Sequence, residues 1–185
     1  MCSPVGKIRN IVTLILEKRN TVLLLACQQR AKFEGWLKFE IACAFEHDPD
    51  FSNIIIEDNY PTAGRSDVSF VFNSEKYYVE MKTTNTNWRS TGLENKHRPI
   101  TKNIKGIIKD IKKLENFISS AHGIMIFIIF PIPLSLVEEY PLQLSYHLDH
   151  IEAKTNLVAG SLNKNMAYVP ISGTYGIGLF VKKII

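Results

Sequence analysis

Gly64-Arg65-Ser66-Asp67-Val68-Ser69-Phe70-Val71-Phe72, then a turn at Asn73-Ser74-Glu75, then Lys76-Tyr77-Tyr78-Val79-Glu80-Met81-Lys82-Thr83, is the stretch on which the reading of this chain rests. Val68, Phe70 and Phe72 alternate with Asp67, Ser69 and Val71. Tyr77, Val79 and Met81 alternate in the same way with Tyr78, Glu80 and Lys82. A period of two over both halves, with turn residues between, predicts a β-hairpin. It sets Glu80 and Lys82 side by side on one face, and an antiparallel partner brings Asp67 near them. The result is two carboxylates and an amine at one end of a sheet.

Upstream, Ile8, Ile11, Val12 and Ile15 recur at helical spacing, predicting an amphipathic helix to about Asn20. A second helical stretch runs from about Thr21 to His47, with a break near Gly35, and ends at Asp48-Pro49 because proline disfavours helix in the residue before it. Asn53 to Glu57 reads as a short strand, followed by a loop through Pro61 and Gly64. Downstream, Thr84 to Pro99 is a long polar loop. Ile104, Ile107, Ile108, Ile111, Leu114 and Ile118 then form one stripe of a helix from about Thr101 to Ser120. Gly123 to Phe130 reads as a buried strand stopped by Pro131 and Pro133. A helix near Leu134 to Tyr140, an irregular stretch to Val158 and a strand within Ile177 to Ile184 complete the chain. This order predicts a single α/β domain with a mixed central β-sheet flanked by helices. Its core spans about residues 33–130, with a helical extension over 1–30 and a C-terminal helix and strand elaboration over 131–185.

Three cysteines, an odd number without ligand-like spacing, read as reduced thiols in a cytoplasmic protein. The longest apolar runs, Val22 to Cys27 and Gly123 to Ile132, fall well short of the about 20 residues a spanning helix needs, and the N-terminus lacks a signal peptide's order. The formal net charge is only +4, but its distribution is uneven. Between Lys82 and Lys113 nine Lys or Arg oppose two acids, giving +7 and leaving −3 for the remainder. Charge concentrated in this way attracts a phosphate backbone.

Carboxylate oxygens beside an amine suit phosphodiester hydrolysis. They are the ligands Mg²⁺ prefers, and a metal neutralises developing charge and lowers the pKa of bound water. Mn²⁺ is the expected substitute. A lysine held among carboxylates stays protonated, which favours an orienting or electrostatic role for Lys82 over that of general base.

The stretches Gly64 to Phe72 and Tyr77 to Lys82 resemble the motif of the PD-(D/E)XK nuclease superfamily, an acid opening a hairpin and then acid-any-lysine on the second strand. Ser66 stands where that motif often, though not always, has proline. The resemblance implies a restriction-endonuclease-like core, with Asp67 and Glu80 as metal ligands, Lys82 as a catalytic residue and a further glutamate from an upstream helix. Glu40 is the first choice for that acid. It lies mid-way across an apolar face with Trp36, Phe33, Ala44 and Leu37 around it, and a buried carboxylate needs a partner such as a shared metal. Glu34, at the edge of the stripe, is the second choice.

Arg65, Arg89, Arg98, Lys102, Lys105 and Lys109 are the candidate nucleic-acid contacts. Lys102, Lys105, Lys109, Lys112 and Lys113 share about 100° of helical arc opposite the isoleucines, as a solvated face or as a phosphate-tracking surface. Trp88, Arg89, His97 and Arg98 combine an aromatic with cations in one loop. His147 and His150 read as a surface pair, and Gly173, Gly176 and Gly178 as a turn and a strand bend. The expectation is thus a Mg²⁺-dependent DNA endonuclease acting on duplex or branched DNA. The restriction type is favoured, a homodimer is expected, and no membrane is involved. A non-catalytic nucleic-acid-binding or assembly protein on the same fold, a junction-resolving nuclease and an RNA-directed nuclease are the alternatives.

Overall fold

The computed structural model describes residues 4–62, 64–93, 100–116, 121–139 and 141–184. Three helices, α1 (Pro4–Lys18), α2 (Asn20–Gln29) and α3 (Glu34–Glu46), precede β1 (Phe51–Ile56), β2 (Val68–Phe72) and β3 (Glu75–Asn85). Helix α4 (Ile100–Glu115) leads to β4 (His122–Pro133). Then come α5 (Ser135–Glu138), α6 (Pro141–Ala153), α7 (Ser161–Asn165), β5 (Ala167–Pro170) and β6 (Tyr175–Lys183). The strands form one mixed sheet in the order β1-β2-β3-β4-β6-β5, and α4 makes the crossover between the parallel pair β3 and β4.

The alternation of the hairpin divides the core. Val68, Phe70, Phe72, Tyr77, Val79 and Met81 face one apolar cluster, which they share with α1 to α3. Tyr78 lies on the other face, with α4, α6 and the Met125, Phe127 and Ile129 row of β4. Ile8, Val12 and Leu16 of α1 are fully buried in the first cluster, so the N-terminal helix belongs to the core. The turn is tighter than the three residues expected. Asn73 and Ser74 both have positive φ, a backbone matched to the twist of a two-residue hairpin, and Glu75 already belongs to β3.

Several elements differ from the sequence expectation. The break in the second helical stretch falls at residues 30–33 and not at Gly35, because Arg30 takes a left-handed conformation and returns its N–H to the last turn of α2. Pro131 and Pro133 do not end β4. The register with β6 shifts between Ile129 and Ile132, and that irregularity admits a proline into the strand. The stretch expected to be irregular up to Val158 contains α6, whose Leu144, Leu148 and Ile151 pack into the second cluster. Strand β5 also lacked a legible signal. It lies so close to β6 that a Cβ on Gly176 would come 2.4 Å from the Val169 carbonyl oxygen. No helix among the described residues is long and apolar enough to cross a membrane.

Candidate active site

Strand β3 outruns its neighbour. The β2–β3 ladder ends at Val68 opposite Val79, whereas β3 continues to Asn85. Beyond that point the N–H groups of Met81 and Thr83 face an edge that no strand covers, and unpaired buried donors are costly. Two carboxylates fill the gap. Asp67 Oδ2 accepts the Met81 N–H at 2.7 Å, and Glu34 Oε2 accepts the Thr83 N–H at 2.9 Å. Arg30 and Asn103 close the end of the edge: the Asn85 side chain donates to the Arg30 carbonyl, and Asn103 Nδ2 donates to the Asn85 carbonyl at 2.8 Å.

Lys82 lies between these acids. Its ammonium is 3.0 Å from Asp110 of α4 and 3.6 Å from Glu34 Oε1. Burial alone lowers the pKa of Lys82. The bond to Asp110 and the charges of Asp110, Glu34 and Asp67 outweigh that effect and hold it above the usual lysine value, so the group is an ammonium at neutral pH. Asp110 Oδ2 is buried, and the ion pair with Lys82 offsets its charge.

Glu80 is the most deeply buried acid of the group, with its side chain 8% exposed. Lys113 of α4 approaches its Oε1 at 2.5 Å, and the Tyr60 hydroxyl donates to the same oxygen. Burial pushes the Glu80 carboxyl above the ordinary glutamate range. Lys113 and Tyr60 pull it back, and the neighbouring negative charge of Asp67 raises it further. The Tyr60 phenol is itself driven far upward, first by burial and then by the Glu80 carboxylate. Lys38 of α3 stands 3.9 Å from Asp67 Oδ1 and 2.9 Å from Glu57. Counting Glu34, Asp67, Glu80 and Asp110 against Lys38, Lys82 and Lys113, four carboxylates face three ammonium groups.

The structure thus gathers Asp67, Glu80 and Lys82 as the hairpin pattern implied, but it brings Glu34 to them and not Glu40. Glu40 pairs with Arg19 at 3.1 Å, on the side of α3 away from β3. The partner that an acid amid apolar neighbours needs is here a cation from the α1–α2 junction. Glu34 is the first residue of α3, where the helix dipole also favours an acid. Tyr60, Asp110 and Lys38 were not singled out from the sequence, and Lys113, expected on the solvated lysine face of α4, instead turns to Glu80. Asp110 and Lys113, three apart at the border of the isoleucine stripe, carried a signal for the sheet-facing flank of α4. Tyr60, in a loop, carried none.

Of the candidate nucleic-acid contacts, Lys102, Lys105 and Lys109 lie exposed on α4. Arg65 is exposed and 3.3 Å from Glu57, and its carbonyl accepts from Lys113 at 2.8 Å. Arg89 is exposed beside Glu138 and Glu139 at a shallow cleft. His97 and Arg98 lie outside the described residues. His147 and His150 are both on α6. His147 is half-buried, with burial and then the charge of His150 lowering its pKa.

Among the described residues, no three acidic, histidine or cysteine side chains converge closely enough to hold a metal ion. The donor set nevertheless fits a hard divalent cation in kind, since oxygen ligands and surplus negative charge are what such an ion requires. Tyr60 and Lys113 occupy Glu80 Oε1 and Met81 occupies Asp67 Oδ2, so Glu80 Oε2 and Asp67 Oδ1 are the oxygens a cation would take. Comparison with protein-family models, curated proteins and solved structures gave no match, and the site is therefore read from its own chemistry.

Proposed function

We propose that the chain is a metal-dependent endonuclease with a restriction-endonuclease-like core, hydrolysing DNA phosphodiester bonds at the exposed edge of β3. The observation that carries this reading is the convergence of Asp67, Glu34 and Lys82 where β2 leaves β3, with the buried, charge-strained Glu80 beside them. A buried carboxyl raised above its ordinary range, with a lysine and further acids around it, marks a candidate functional site. Asp67 and Glu80 would hold Mg²⁺, or Mn²⁺ in its place, and Glu34 takes the role expected of Glu40. The bound ion would supply charge neutralisation at the scissile phosphate and a more acidic water.

The chain's own residues divide the remaining work. Lys82, kept protonated by Asp110 and Glu34, donates hydrogen bonds to an attacking water or to a non-bridging phosphate oxygen. Glu34 and Asp110 act as positioning residues, fixing the ammonium from two elements. Lys102, Lys105 and Lys109 on the outer face of α4 attract the phosphate backbone. Restriction-type cleavage by a two-fold dimer is the favoured form, because such symmetry matches a duplex site.

One observation favours a second reading, a non-catalytic nucleic-acid-binding module. One oxygen of Glu80, Oε1, is taken by both Lys113 and Tyr60, as in a purely structural ion pair. Incubating plasmid DNA with the protein in Mg²⁺, Mn²⁺ or EDTA separates the two. Metal-dependent nicking or linearisation supports the nuclease, and discrete products support the restriction type. DNA retention without cleavage in either metal supports the module. Branched DNA and RNA run alongside test the junction-resolving and RNA-directed alternatives.

A further inference from the structure

Residues 86–93 leave the end of β3 under firm anchorage. The Thr86 N–H donates to the Phe130 carbonyl at 2.8 Å, and Thr86 Oγ1 donates to the Pro131 carbonyl at 2.6 Å. The buried Arg30 guanidinium donates to the carbonyls of Thr86 and Trp88, the latter at 2.6 Å. Trp88 is therefore held in place against the second apolar cluster. Its ring meets the surface beside α6, with its centroid 6.0 Å from that of His147, and the His147 ring is 5.4 Å from that of Tyr146.

These rings line a cleft of about 380 Å³ with Leu142 and Gln143. A smaller one of about 190 Å³ adjoins it, sharing Tyr146 and His147 and walled by Thr101, Ile104, Lys105 and His150. Leu142 is 81% and Tyr146 69% exposed, so neither contributes to the core. Among the described residues no carboxylate lines either cleft, while Lys105 borders one. An anchored indole beside an exposed phenol ring and a lysine, with an amide at the rim, suits a flat ring that carries a phosphate.

We propose that this cleft is a nucleobase-stacking site, which takes an unpaired base of the DNA strand between Trp88 and Tyr146 and places its phosphate against Lys105. The proposal rests on the nuclease reading for its ligand. Helix α4 supplies the connection. Asp110 and Lys113 lie on its flank toward β3, Thr101 and Lys105 on the flank toward α6, and the exposed face between them carries Lys102 and Lys109. Lys105 and Asp110 are separated by about 7.5 Å along the helix axis, or a little over two base-pair steps. A strand cut at β3 crosses the lysine face of α4 and delivers a neighbouring base to the cleft. His147, whose burial favours the neutral imidazole, adds a third flat surface beside the Trp88 and Tyr146 rings.

The chain has two tryptophans, so Trp36→Phe leaves Trp88 as the sole indole reporter. That protein, held in EDTA to prevent cleavage, is titrated with short oligothymidylate and with an abasic strand of the same length. Thymidine bases should quench Trp88 emission saturably and the abasic strand should not. Tyr146→Ala, at an exposed position, should weaken oligothymidylate binding by about 5- to 150-fold, and Tyr146→Phe should restore it. Equal binding by Tyr146→Ala and the parent, or equal quenching by the abasic strand, would overturn the proposal. Cleavage in Mg²⁺ is scored separately. Unchanged binding with retained cleavage removes the stacking site alone, whereas base-dependent quenching without cleavage keeps the site and removes the nuclease.

Discussion

Asp67→Ala tests whether the site's acids also hold the sheet together. The Asp67 carboxylate accepts the Met81 N–H at 2.7 Å where β2 has parted from β3, and Met81 is only 1% exposed. A hydrogen bond to a charged acceptor contributes about 1.5–3 kcal/mol, and its loss here leaves the donor without a strand partner. Asp67→Ala should therefore lose about 1.5–3 kcal/mol, close to 3–12 °C in Tm for a chain of this size. Asp67→Asn keeps a neutral acceptor and should lose about half as much, ~0.75–1.5 kcal/mol. Urea unfolding followed by far-UV circular dichroism measures both, and an unchanged slope confirms that the same surface is exposed. Both variants should be inactive, so the asparagine separates chemistry from architecture. If Asp67→Ala unfolds within ~0.5 kcal/mol of the parent, or if Asp67→Asn is as unstable as the alanine, the edge-capping argument is wrong.

Other perturbations reach other parts of the account. Because burial holds the Glu80 carboxyl above its ordinary range, its contribution to stability is full at low pH and is lost as pH rises from the ordinary glutamate value through the raised one. Glu80→Gln should thus have nearly the parent Tm near pH 4 and a progressively higher one toward pH 7; a pH-independent difference in calorimetry would contradict the shift. Arg30→Met removes the buried guanidinium bonds to the Thr86 and Trp88 carbonyls and should cost about 2–4 kcal/mol, with faster proteolytic nicking over 86–93; parent-like resistance would refute that anchorage. Lys113→Ala frees Glu80 Oε1 from a competing ammonium and should tighten Mn²⁺ binding in the absence of DNA about tenfold, equivalent to ~1.4 kcal/mol; calorimetric titration showing weaker or equal affinity would remove Lys113 from the cation-binding account.

Much of this arrangement was legible in the order of residues. A strict period of two from Asp67 to Thr83 located the hairpin, divided its faces and set Glu80 beside Lys82. The isoleucine spacing placed α4 equally well, since a stripe opposite charged residues has one stable orientation on a sheet. The helical acid was not legible in the same way. Glu40 and Glu34 differ in position on α3 by less than two turns, and the choice between them depended on Arg19, a cation from another helix that periodicity within α3 cannot reveal. Tyr60 and Lys113 were hidden for a related reason, because their roles come from a loop and a crossover helix meeting at Glu80. The C-terminal third was obscure because α6 is only weakly amphipathic and the close contact of β5 with β6 depends on glycines more familiar in turns.

The most direct test of the central claim is single-turnover cleavage of labelled DNA by the parent and by Lys82→Ala in Mg²⁺, with DNA affinity measured on the same samples. If Lys82 orients the attacking water from its seat between Asp110 and Glu34, the variant should cut at least ~100-fold more slowly while its affinity changes only a few-fold. Cleavage by Lys82→Ala at the parent rate, or no cleavage by the parent in either Mg²⁺ or Mn²⁺, would contradict the assignment of this cluster as a phosphodiester-hydrolysing site.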